Sequence, residues 1–269
     1  MNVIDAKARL RTREMLRHWT DEIKPFFRDY VQLYKMEPRL HTMPVDEYVN
    51  TFPQYGIEKI VVCPDFQEEN AHVLETAKRY EQIVPVFFIS MENGILAAMK
   101  EAETNFKKGA SAMYVAPYRY KINLNDKSLY PLYGLCTFYN KPVIVYGAIH
   151  FWSESSMWHG QPEYVDEVAI DFPELGIIVC HGGNGFGPSI LAVAQRHENV
   201  YLEFSGLNPQ YMAPEFMYAA NTYLKNRCIF GTDYPLMDFD VSISRWKKVI
   251  REDVQKLFFY ENVKNILGI

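Results

Sequence analysis

The 269-residue sequence has few cysteines and none of the spacings that cysteine-based sites require. Its four cysteines are widely separated, no CxxC pair occurs, and three of them lie within apolar runs. Zinc knuckles and disulfide frameworks both need closely patterned cysteines, so neither is indicated. Reduced, buried thiols are the expected state. The four are Cys63, Cys136, Cys180 and Cys228.

Long apolar runs and an excess of basic charge are missing as well. No stretch approaches the roughly 20 apolar residues that cross a bilayer. The formal net charge is -5 and the pI is 5.8, so neither nucleic acid nor a membrane is expected as a partner, because phosphate backbones and anionic lipids are not attracted to a net-acidic surface. Residues Met1–Asp5 are expected to begin a strand rather than a secretory signal, which predicts a cytoplasmic protein.

Eight short apolar runs alternate with amphipathic segments along the chain. The runs are rich in β-branched residues, which is typical of strands buried on both faces of a parallel sheet. No glycine-rich phosphate-binding motif follows the first run, so the pattern favours a closed (β/α)8 TIM barrel over an open dinucleotide-binding sheet. A barrel takes about 250 residues, which predicts one domain over residues 1–269. The predicted strands are Val3–Asp5, Lys59–Cys63, Val86–Ile89, Ala112–Val115, Val143–Tyr146, Ile177–Cys180, Val200–Phe204 and Cys228–Phe230.

Two of the predicted loops are long and rich in aromatic and charged residues. Residues Arg11–Met43 form an insertion after the first strand, and Arg13–Tyr34 within it has the spacing of a helix. The insertion is either a lid over a binding site or a helix packed on the surface, because long loops at this end of a barrel commonly carry function. The second loop, Ala148–Gln161, carries His150 and Trp152.

The C-terminal ends of the predicted strands carry a set of polar residues. In a barrel these ends meet at one mouth, where loops open to solvent over a rigid base. Charges are costly to leave unpaired there, so they are expected to pair with one another or with a substrate. The set is Lys7, Arg9, Cys63, Asp65, Tyr146, His181, Glu203, Ser205 and Asp233.

The sequence resembles the amidohydrolase-related family over nearly its whole length apart from the insertion. The resemblance rests on the runs CHGGNGFG, AVAQRHENVYLEFSG, CIFGTDYP and KLFFYENVKNILGI. The segments YPLYGLCTFYNKPVIVY and MPVDEYVNTFPQYGIEKIVV and the opening VIDAKARL also match. The family includes aminocarboxymuconate-semialdehyde decarboxylase, resorcylate-type decarboxylases and lactone hydrolases. The resemblance therefore implies a TIM barrel and an enzyme that performs hydrolysis or decarboxylation.

The resemblance also implies where a metal would lie, and this sequence departs from the family there. The family typically opens on Ile-Asp-Ala-His-x-His and holds zinc or manganese with those two histidines, a strand-5 histidine and the strand-8 aspartate. Lys7 and Arg9 occupy the positions of the two histidines, and Tyr146 occupies that of the third. Asp233 and the histidine beside the metal, His181, are present. Charged lysine and arginine offer no lone pair to a metal, so no bound metal or other cofactor is expected; if a metal is bound, zinc or manganese is expected.

The leading hypothesis is a metal-independent enzyme acting on a small anionic substrate of the carboxylate or lactone type. Lys7 and Arg9 would restore the metal's positive charge beside Asp233, and Arg9 would bind a substrate carboxylate. Lys7, with its pKa lowered by Arg9 and burial, would polarise a carbonyl or form a Schiff base. His181 would be a general acid or base, and Asp233 would activate a water or accept a proton. Further candidates for substrate binding are Tyr146, Trp152, His150 and Glu203.

Two other interpretations remain open. A non-catalytic barrel would use Lys7, Arg9 and Asp233 as a structural ion-pair cluster and would serve as a binding or assembly subunit. A metal-dependent hydrolase would need atypical ligands, such as His150 or His159. A homodimer is expected in each case, because the aromatic-rich insertion would suit an interface.

Overall fold

A computed structural model describes residues 2–21, 23, 25–150 and 152–269 of the chain, without the side chains of residues 25 and 26. These residues form eight parallel strands, each paired with the next in sequence order. The strands are β1 (Val3–Ala8), β2 (Ile57–Val62), β3 (Ile83–Phe88), β4 (Ala112–Val115), β5 (Val143–Val145), β6 (Ile177–Val179), β7 (Val200–Glu203) and β8 (Cys228–Ile229).

The last strand returns to the first. The N–H of Ala6 donates to the carbonyl of Phe230 at 3.0 Å, and Ala8 forms an isolated bridge with Tyr234. The sheet therefore curves into a (β/α)8 barrel, which confirms the predicted fold. β1 runs through Ala8 rather than ending at Asp5, and its pairing with β2 is irregular between Asp5 and Ala8.

Helices connect the strands and cover the outside of the barrel. The helix between β2 and β3 ends at Ala77, and Ile83 begins β3. Among the described residues, no helix is both long enough and apolar enough to span a bilayer. The α-helices are α1 (Arg13–Leu16), α2 (Pro25–Leu33), α3 (Val45–Asn50), α4 (Phe52–Tyr55), α5 (Asn70–Ala77), α6 (Ile95–Lys107), α7 (Tyr130–Phe138), α8 (Pro162–Asp171), α9 (Ser189–Arg196), α10 (Pro214–Asn221), α11 (Phe239–Val249), α12 (Glu252–Lys256) and α13 (Asn262–Leu267).

Alternate residues of each strand pack into two different cores. On β4, Met113 and Val115 pack outward with the helices, whereas Ala112 and Tyr114 point into the barrel. The period of two that defines a strand accounts for this division. Val263 and Leu267 of α13 belong to the inner core. The apolar floor that results leaves the opposite, C-terminal end of the strands for polar side chains.

The segment after β1 contains two helices rather than one continuous helix. α1 and α2 are separate, and Pro25 begins α2, where its missing N–H costs nothing. Glu22 and Lys24, which the predicted helix includes, lie outside the described residues. A small core of its own holds the segment against the barrel; its buried members are Leu16, Trp19, Phe27, Val31, Met36, Leu40 and Leu236.

Candidate active site

The strand ends at the mouth of the barrel enclose a small cavity of about 80 Å³, here called the mouth cavity. Six of the residues expected at the strand ends line it, and α2 covers it from the solvent side. Its charged and titratable lining consists of Lys7, Arg9, Asp65, Arg119, His181 and Asp233, together with five tyrosines. The structure therefore gathers most of the predicted polar set in one place.

Lys7, His181 and Asp233 form a cluster at the floor of the mouth cavity. Lys7 Nζ lies 3.4 Å from Asp233 Oδ1 and 3.3 Å from His181 Nε2. The backbone N–H of Asp233 donates to the carbonyl of Lys7 at 2.8 Å, which fixes the end of β8 against β1. His181 and Asp233 both have positive φ, 55° and 57°, in the left-handed region that non-glycine residues rarely adopt. Strained backbone at two neighbouring polar residues is typical of functional sites.

The contacts of His181 define its protonation. Nδ1 faces the backbone carbonyl of Ser205 at 2.8 Å, and a carbonyl oxygen can only accept. Nε2 faces the Lys7 ammonium, which can only donate. The ring is therefore neutral, with its proton on Nδ1 and a lone pair on Nε2. Burial and then the charge of Lys7 lower the pKa of His181 to about 4, in agreement with a neutral ring.

Lys7 and Asp233 are both charged. Burial alone would lower the pKa of Lys7, but the carboxylate of Asp233 outweighs it and the pKa is raised well above its ordinary value. Burial would likewise raise the pKa of Asp233, but Lys7 and then Arg9 hold it well below its usual range. The prediction of a lowered Lys7 pKa is therefore wrong. The prediction weighed burial and the charge of Arg9, but the charge of Asp233, whose Oδ1 lies 3.4 Å from Lys7 Nζ, outweighs both.

Arg9 is held by two carboxylates. Its Nε and Nη2 donate to the two oxygens of Asp65 at 2.5 and 2.8 Å, and its Nη1 donates to Asp233 Oδ1 at 2.9 Å. Trp19 Nε1 adds a hydrogen bond to Asp65 at 3.0 Å. The two-pronged edge of Arg9 is thus already occupied by Asp65. The structure does not leave it available for the substrate carboxylate that the sequence assigned to it.

Arg119, which the sequence reasoning missed, is the third cation of the mouth cavity. It belongs to a short 3-10 helix, Pro117–Tyr120, directly after β4. Its Nη1 donates to the backbone carbonyl of Asp65, and its Nη2 makes only a longer contact of 3.9 Å with Asp65 Oδ1. The rings of Phe66 and Phe88 lie about 5 Å from its guanidinium. Its position shortly after Val115, the end of the fourth predicted strand, could have identified Arg119 as a residue of the barrel mouth.

The charges that line the mouth cavity do not cancel. Three cations, Lys7, Arg9 and Arg119, face two ionised carboxylates, Asp65 and Asp233. Two further buried carboxyls lie close to the cluster, and their pKa values are raised mainly by burial. The pKa is raised to about 7 for Asp5 and to about 8 for Glu203. When those two are protonated, the described residues leave one positive charge at the mouth cavity.

Aromatic rings form most of the remaining wall of the mouth cavity. Three tyrosines come from the barrel and its loops, and the Lys7 ammonium lies 5.2 Å from the ring centroid of Tyr114 and 5.8 Å from that of Tyr146. Residues of the segment after β1 supply the rest, which places α2 over the mouth as a lid would lie. The rings are Tyr114, Tyr118 and Tyr146 from the barrel and Trp19, Phe27, Tyr30 and Tyr34 from that segment.

Three predicted substrate-binding residues lie outside the mouth cavity. Glu203 is buried beneath it, where its carboxyl accepts hydrogen bonds from Ser205. His150 stacks on Tyr118 at 4.1 Å, and its Nε2 donates to the carbonyl of Ser156. Trp152 instead lines a separate cleft of about 780 Å³ beside the mouth, between α6 and the loops after β2 and β3. Loop side chains cannot be placed from strand periodicity, which is why these positions differ. Tyr146, the fourth, does line the mouth cavity.

The residues at the mouth do not fit the metal that the family resemblance implies. A divalent ion needs about three or four protein ligands. Within the described ranges, no three His, Cys, Asp or Glu side chains gather into such a group. The Lys7 ammonium lies between the two family groups that remain, His181 and Asp233, and repels a cation.

The fold and this mouth define a TIM-barrel protein with a polar site at the C-terminal strand ends. An amidohydrolase family model matches residues 31–269, and the chain belongs to that family. No functionally curated protein matches the sequence.

Solved structures share the fold at low identity. An uncharacterized TIM-barrel protein from Bordetella bronchiseptica is 23% identical, with a TM-score of 0.85 over 100% of this chain and 99% of that chain. A 5-carboxyvanillate decarboxylase from Novosphingobium aromaticivorans, complexed with manganese, is 12% identical, with a TM-score of 0.74 over 100% and 96% of the chains. A dihydroxybenzoic acid decarboxylase from Polaromonas with bound manganese is 15% identical, with a TM-score of 0.73 over 100% and 97%. These likenesses support the fold, and function has to be argued from the site.

Proposed function

We propose that the protein is a metal-independent enzyme that acts on a small, ring-shaped carboxylate by hydrolysis or by non-oxidative decarboxylation. The observation that carries the proposal is the Lys7–His181–Asp233 cluster at the floor of the mouth cavity. The single excess positive charge favours a monoanionic substrate, and the aromatic walls favour a planar ring. A non-catalytic barrel would have no need of strained, fixed polar groups at an enclosed cavity.

Arg119 is the proposed binding group for the substrate carboxylate, in place of Arg9. Of the three cations at the mouth, Arg119 has the largest unused part of its donor set, because Nη2 makes only a 3.9 Å contact with Asp65. Phe66 and Phe88 hold the plane of its guanidinium. Arg119 Nε donates to the Tyr118 hydroxyl at 3.5 Å and Nη1 to the Asp65 carbonyl, so Nη2 is the donor left for a substrate carboxylate.

Hydrolysis is the reaction that the protonation states support best. Asp233 is ionised and His181 Nε2 carries a lone pair, so both groups can accept a hydrogen bond from a water. The pKa of each group is lowered, so each is a weak base that takes the proton only as the water attacks. In the proposed step, Asp233 takes a proton from water as the water oxygen bonds to the substrate carbonyl carbon. The Lys7 ammonium stabilises the oxyanion that forms. Asp233 then returns the proton to the leaving oxygen as the carbon–oxygen bond breaks.

Decarboxylation is the second candidate. The two manganese-containing proteins with the same fold are described as decarboxylases of substituted benzoic acids. The walls of the mouth cavity are aromatic, but a benzene ring needs a cavity of about 150 Å³. Such a substrate would therefore enter the cavity of about 80 Å³ only after α2 moves away. In this case the substrate carboxylate lies at Lys7 instead of Arg119. As the carbon–carbon bond breaks and CO2 leaves, the ring carbon keeps the bonding electron pair and takes a proton from the Lys7 ammonium, which solvent water then restores.

A product assay without added metal tests the proposal. The purified protein, in the presence of a chelator, is incubated with benzoic acids and with lactones that carry one carboxylate. Mass spectrometry detects ring-opened acids, and a coupled assay detects CO2. We expect turnover that chelation does not reduce and that Lys7→Met and Asp233→Asn each lower at least about 100-fold with the fold retained. Turnover that depends on added manganese or zinc would contradict the proposal.

A further inference from the structure

Glu203 is a carboxyl group buried below the site rather than within it. It ends β7, is 1% exposed and does not line the mouth cavity. Its Oε1 accepts the backbone N–H of Ser205 at 2.5 Å, and its Oε2 accepts the hydroxyl of Ser205 at 2.8 Å. A Cβ at Gly231 would overlap Oε1, so a glycine at the end of the neighbouring strand makes room for the carboxyl. Both oxygens of Glu203 are therefore used to hold one residue.

Ser205 in turn connects Glu203 to the cluster. The carbonyl of Ser205 accepts from His181 Nδ1 at 2.8 Å, and its hydroxyl oxygen lies 3.3 Å from the same nitrogen. On the far side of the ring, Nε2 lies 3.3 Å from Lys7 Nζ. A continuous series of polar contacts thus runs from the Glu203 carboxyl through Ser205 and the imidazole to Lys7.

We infer that Glu203 is a positioning residue, which acts through Ser205 to keep His181 in the tautomer that turns its Nε2 lone pair toward Lys7. With its proton on Nδ1, the ring accepts from the ammonium at Nε2 and holds the charge of Lys7 beside Asp233. In the opposite tautomer an N–H would face the ammonium, and the cluster would lose this contact. Fixing a tautomer through the second nitrogen is a known way for a protein to set the role of a histidine. The importance of this positioning for turnover rests on the proposed function, but the tautomer itself does not.

Glu203→Gln is the informative change, because it preserves the shape of the side chain and alters the direction of one hydrogen bond. The amide oxygen can still accept the Ser205 N–H, but the amide nitrogen must donate to the Ser205 hydroxyl. The hydroxyl proton is then free to point toward His181 Nδ1, 3.3 Å away. Such a hydrogen bond favours the tautomer with the proton on Nε2.

Nitrogen NMR of the substrate-free protein, labelled at its histidines, measures the tautomer directly. The spectra are recorded at pH 9, above the pKa of about 8 for Glu203, so that its carboxyl is ionised and both oxygens accept. The His181 signals are assigned by their loss in His181→Gln. We expect the wild type to show the proton on Nδ1 and Glu203→Gln to show a mixture of tautomers or the reverse one. Asp5→Asn is the matched control, because Asp5 is also a buried carboxyl in the barrel but bonds to Thr232 and the Lys7 backbone rather than to Ser205. It should leave the His181 signals unchanged.

A double-mutant cycle with Ser205→Ala separates positioning from a general structural role. If Glu203 acts through the Ser205 hydroxyl, Glu203→Gln should change the His181 signals in the wild-type background and not in the Ser205→Ala background. Folded Glu203→Gln protein with an unchanged Nδ1–H signal would overturn the inference, and so would equal effects in both backgrounds. These outcomes need no substrate, so a failure here is distinct from a failure of the proposed function. Where turnover is found, Glu203→Gln should lower kcat by about tenfold or more with KM little changed.

Discussion

Arg119 differs from the other two cations of the mouth in how fully its guanidinium is occupied. Arg9 donates to both oxygens of Asp65 and to Asp233, and the Lys7 ammonium contacts Asp233 and His181. The charges of Arg9 and Lys7 neutralise these buried carboxylates, so a substrate that drew either cation away would leave a buried carboxylate without compensation. Arg119 can give up its longer contact to a substrate without such a cost.

Substitution of Arg119 should therefore affect binding more than chemistry. Arg119→Gln should raise KM about tenfold or more while kcat falls less, because the carboxylate of the substrate loses its anchor but the reacting cluster is unchanged. Arg119→Lys is the matched control, because it keeps the positive charge but loses the planar guanidinium. Its KM should lie between those of wild type and Arg119→Gln. Steady-state kinetics on the substrate found in the product assay measures both constants. A collapse of kcat at unchanged KM would instead place Arg119 in the chemical step.

The sequence could predict which residues meet at the mouth but not how their charges pair. The barrel rule that strand ends converge was sufficient to place Lys7, Arg9, His181 and Asp233 together. It could not show that Asp65 occupies the fork of Arg9, because that pairing depends on side-chain conformation across two strands. The wrong direction of the Lys7 pKa follows from the strength of its ion pair with Asp233. The occupied guanidinium of Arg9 is the reason that we assign the substrate carboxylate to Arg119 instead.

α2 is the element on which access to the site depends. Phe27 and Tyr30 of α2, and Tyr34 directly after it, line the mouth cavity. The small core of this segment is separate from that of the barrel. Segments with a small separate core open at lower free energy than the main core does. This arrangement favours the lid over the alternative of a helix that is only packed on the surface.

Breaking α2 should change access to the site without unfolding the barrel. Asp29→Pro lies on the exposed side of the helix, and proline in a helix interior costs about 3 kcal/mol. We expect faster amide hydrogen exchange in α2, an unchanged exchange rate in the barrel strands and a raised KM. Asp29→Ala, which favours a helix, is the control and should behave as the wild type does. Equal KM values for the two variants would show that α2 is not a lid.

Hydrophobic periodicity predicted the strands of the barrel but not the boundary between the two helices after β1. All eight strands were found because each is a buried apolar run bounded by polar residues. The division between α1 and α2 was missed because the apolar spacing continues across it, although Pro25 marks the start of the second helix. The loop after β5 has no periodicity, so the positions of His150 and Trp152 depended on tertiary contacts alone.

The stability of the whole molecule should depend on pH through its buried carboxyls. Burial raises the pKa of Asp5 from 3.8 to about 7, so the folded protein keeps this proton while the unfolded chain releases it. The contribution of Asp5 to stability is therefore fully present below about pH 4 and is lost as the pH rises to about 7. Asp5→Asn cannot ionise and should avoid that loss.

Denaturant unfolding of wild type and Asp5→Asn at pH 4 and pH 7.5 measures this effect. The free energy of unfolding of the variant, relative to wild type, should increase between the two pH values by at least about 1.4 kcal/mol, the equivalent of one pKa unit. A difference that does not change with pH would mean that Asp5 ionises in the folded protein much as it does in the unfolded chain.

We propose that fixed side-chain cations replace a metal in this amidohydrolase barrel. Elemental mass spectrometry on protein expressed with zinc and manganese supplied, and purified without chelator, tests it most directly. The account predicts far less than one metal ion per chain, because the Lys7 ammonium lies between His181 and Asp233 where an ion would need them as ligands. One tightly held zinc or manganese ion per chain would contradict it.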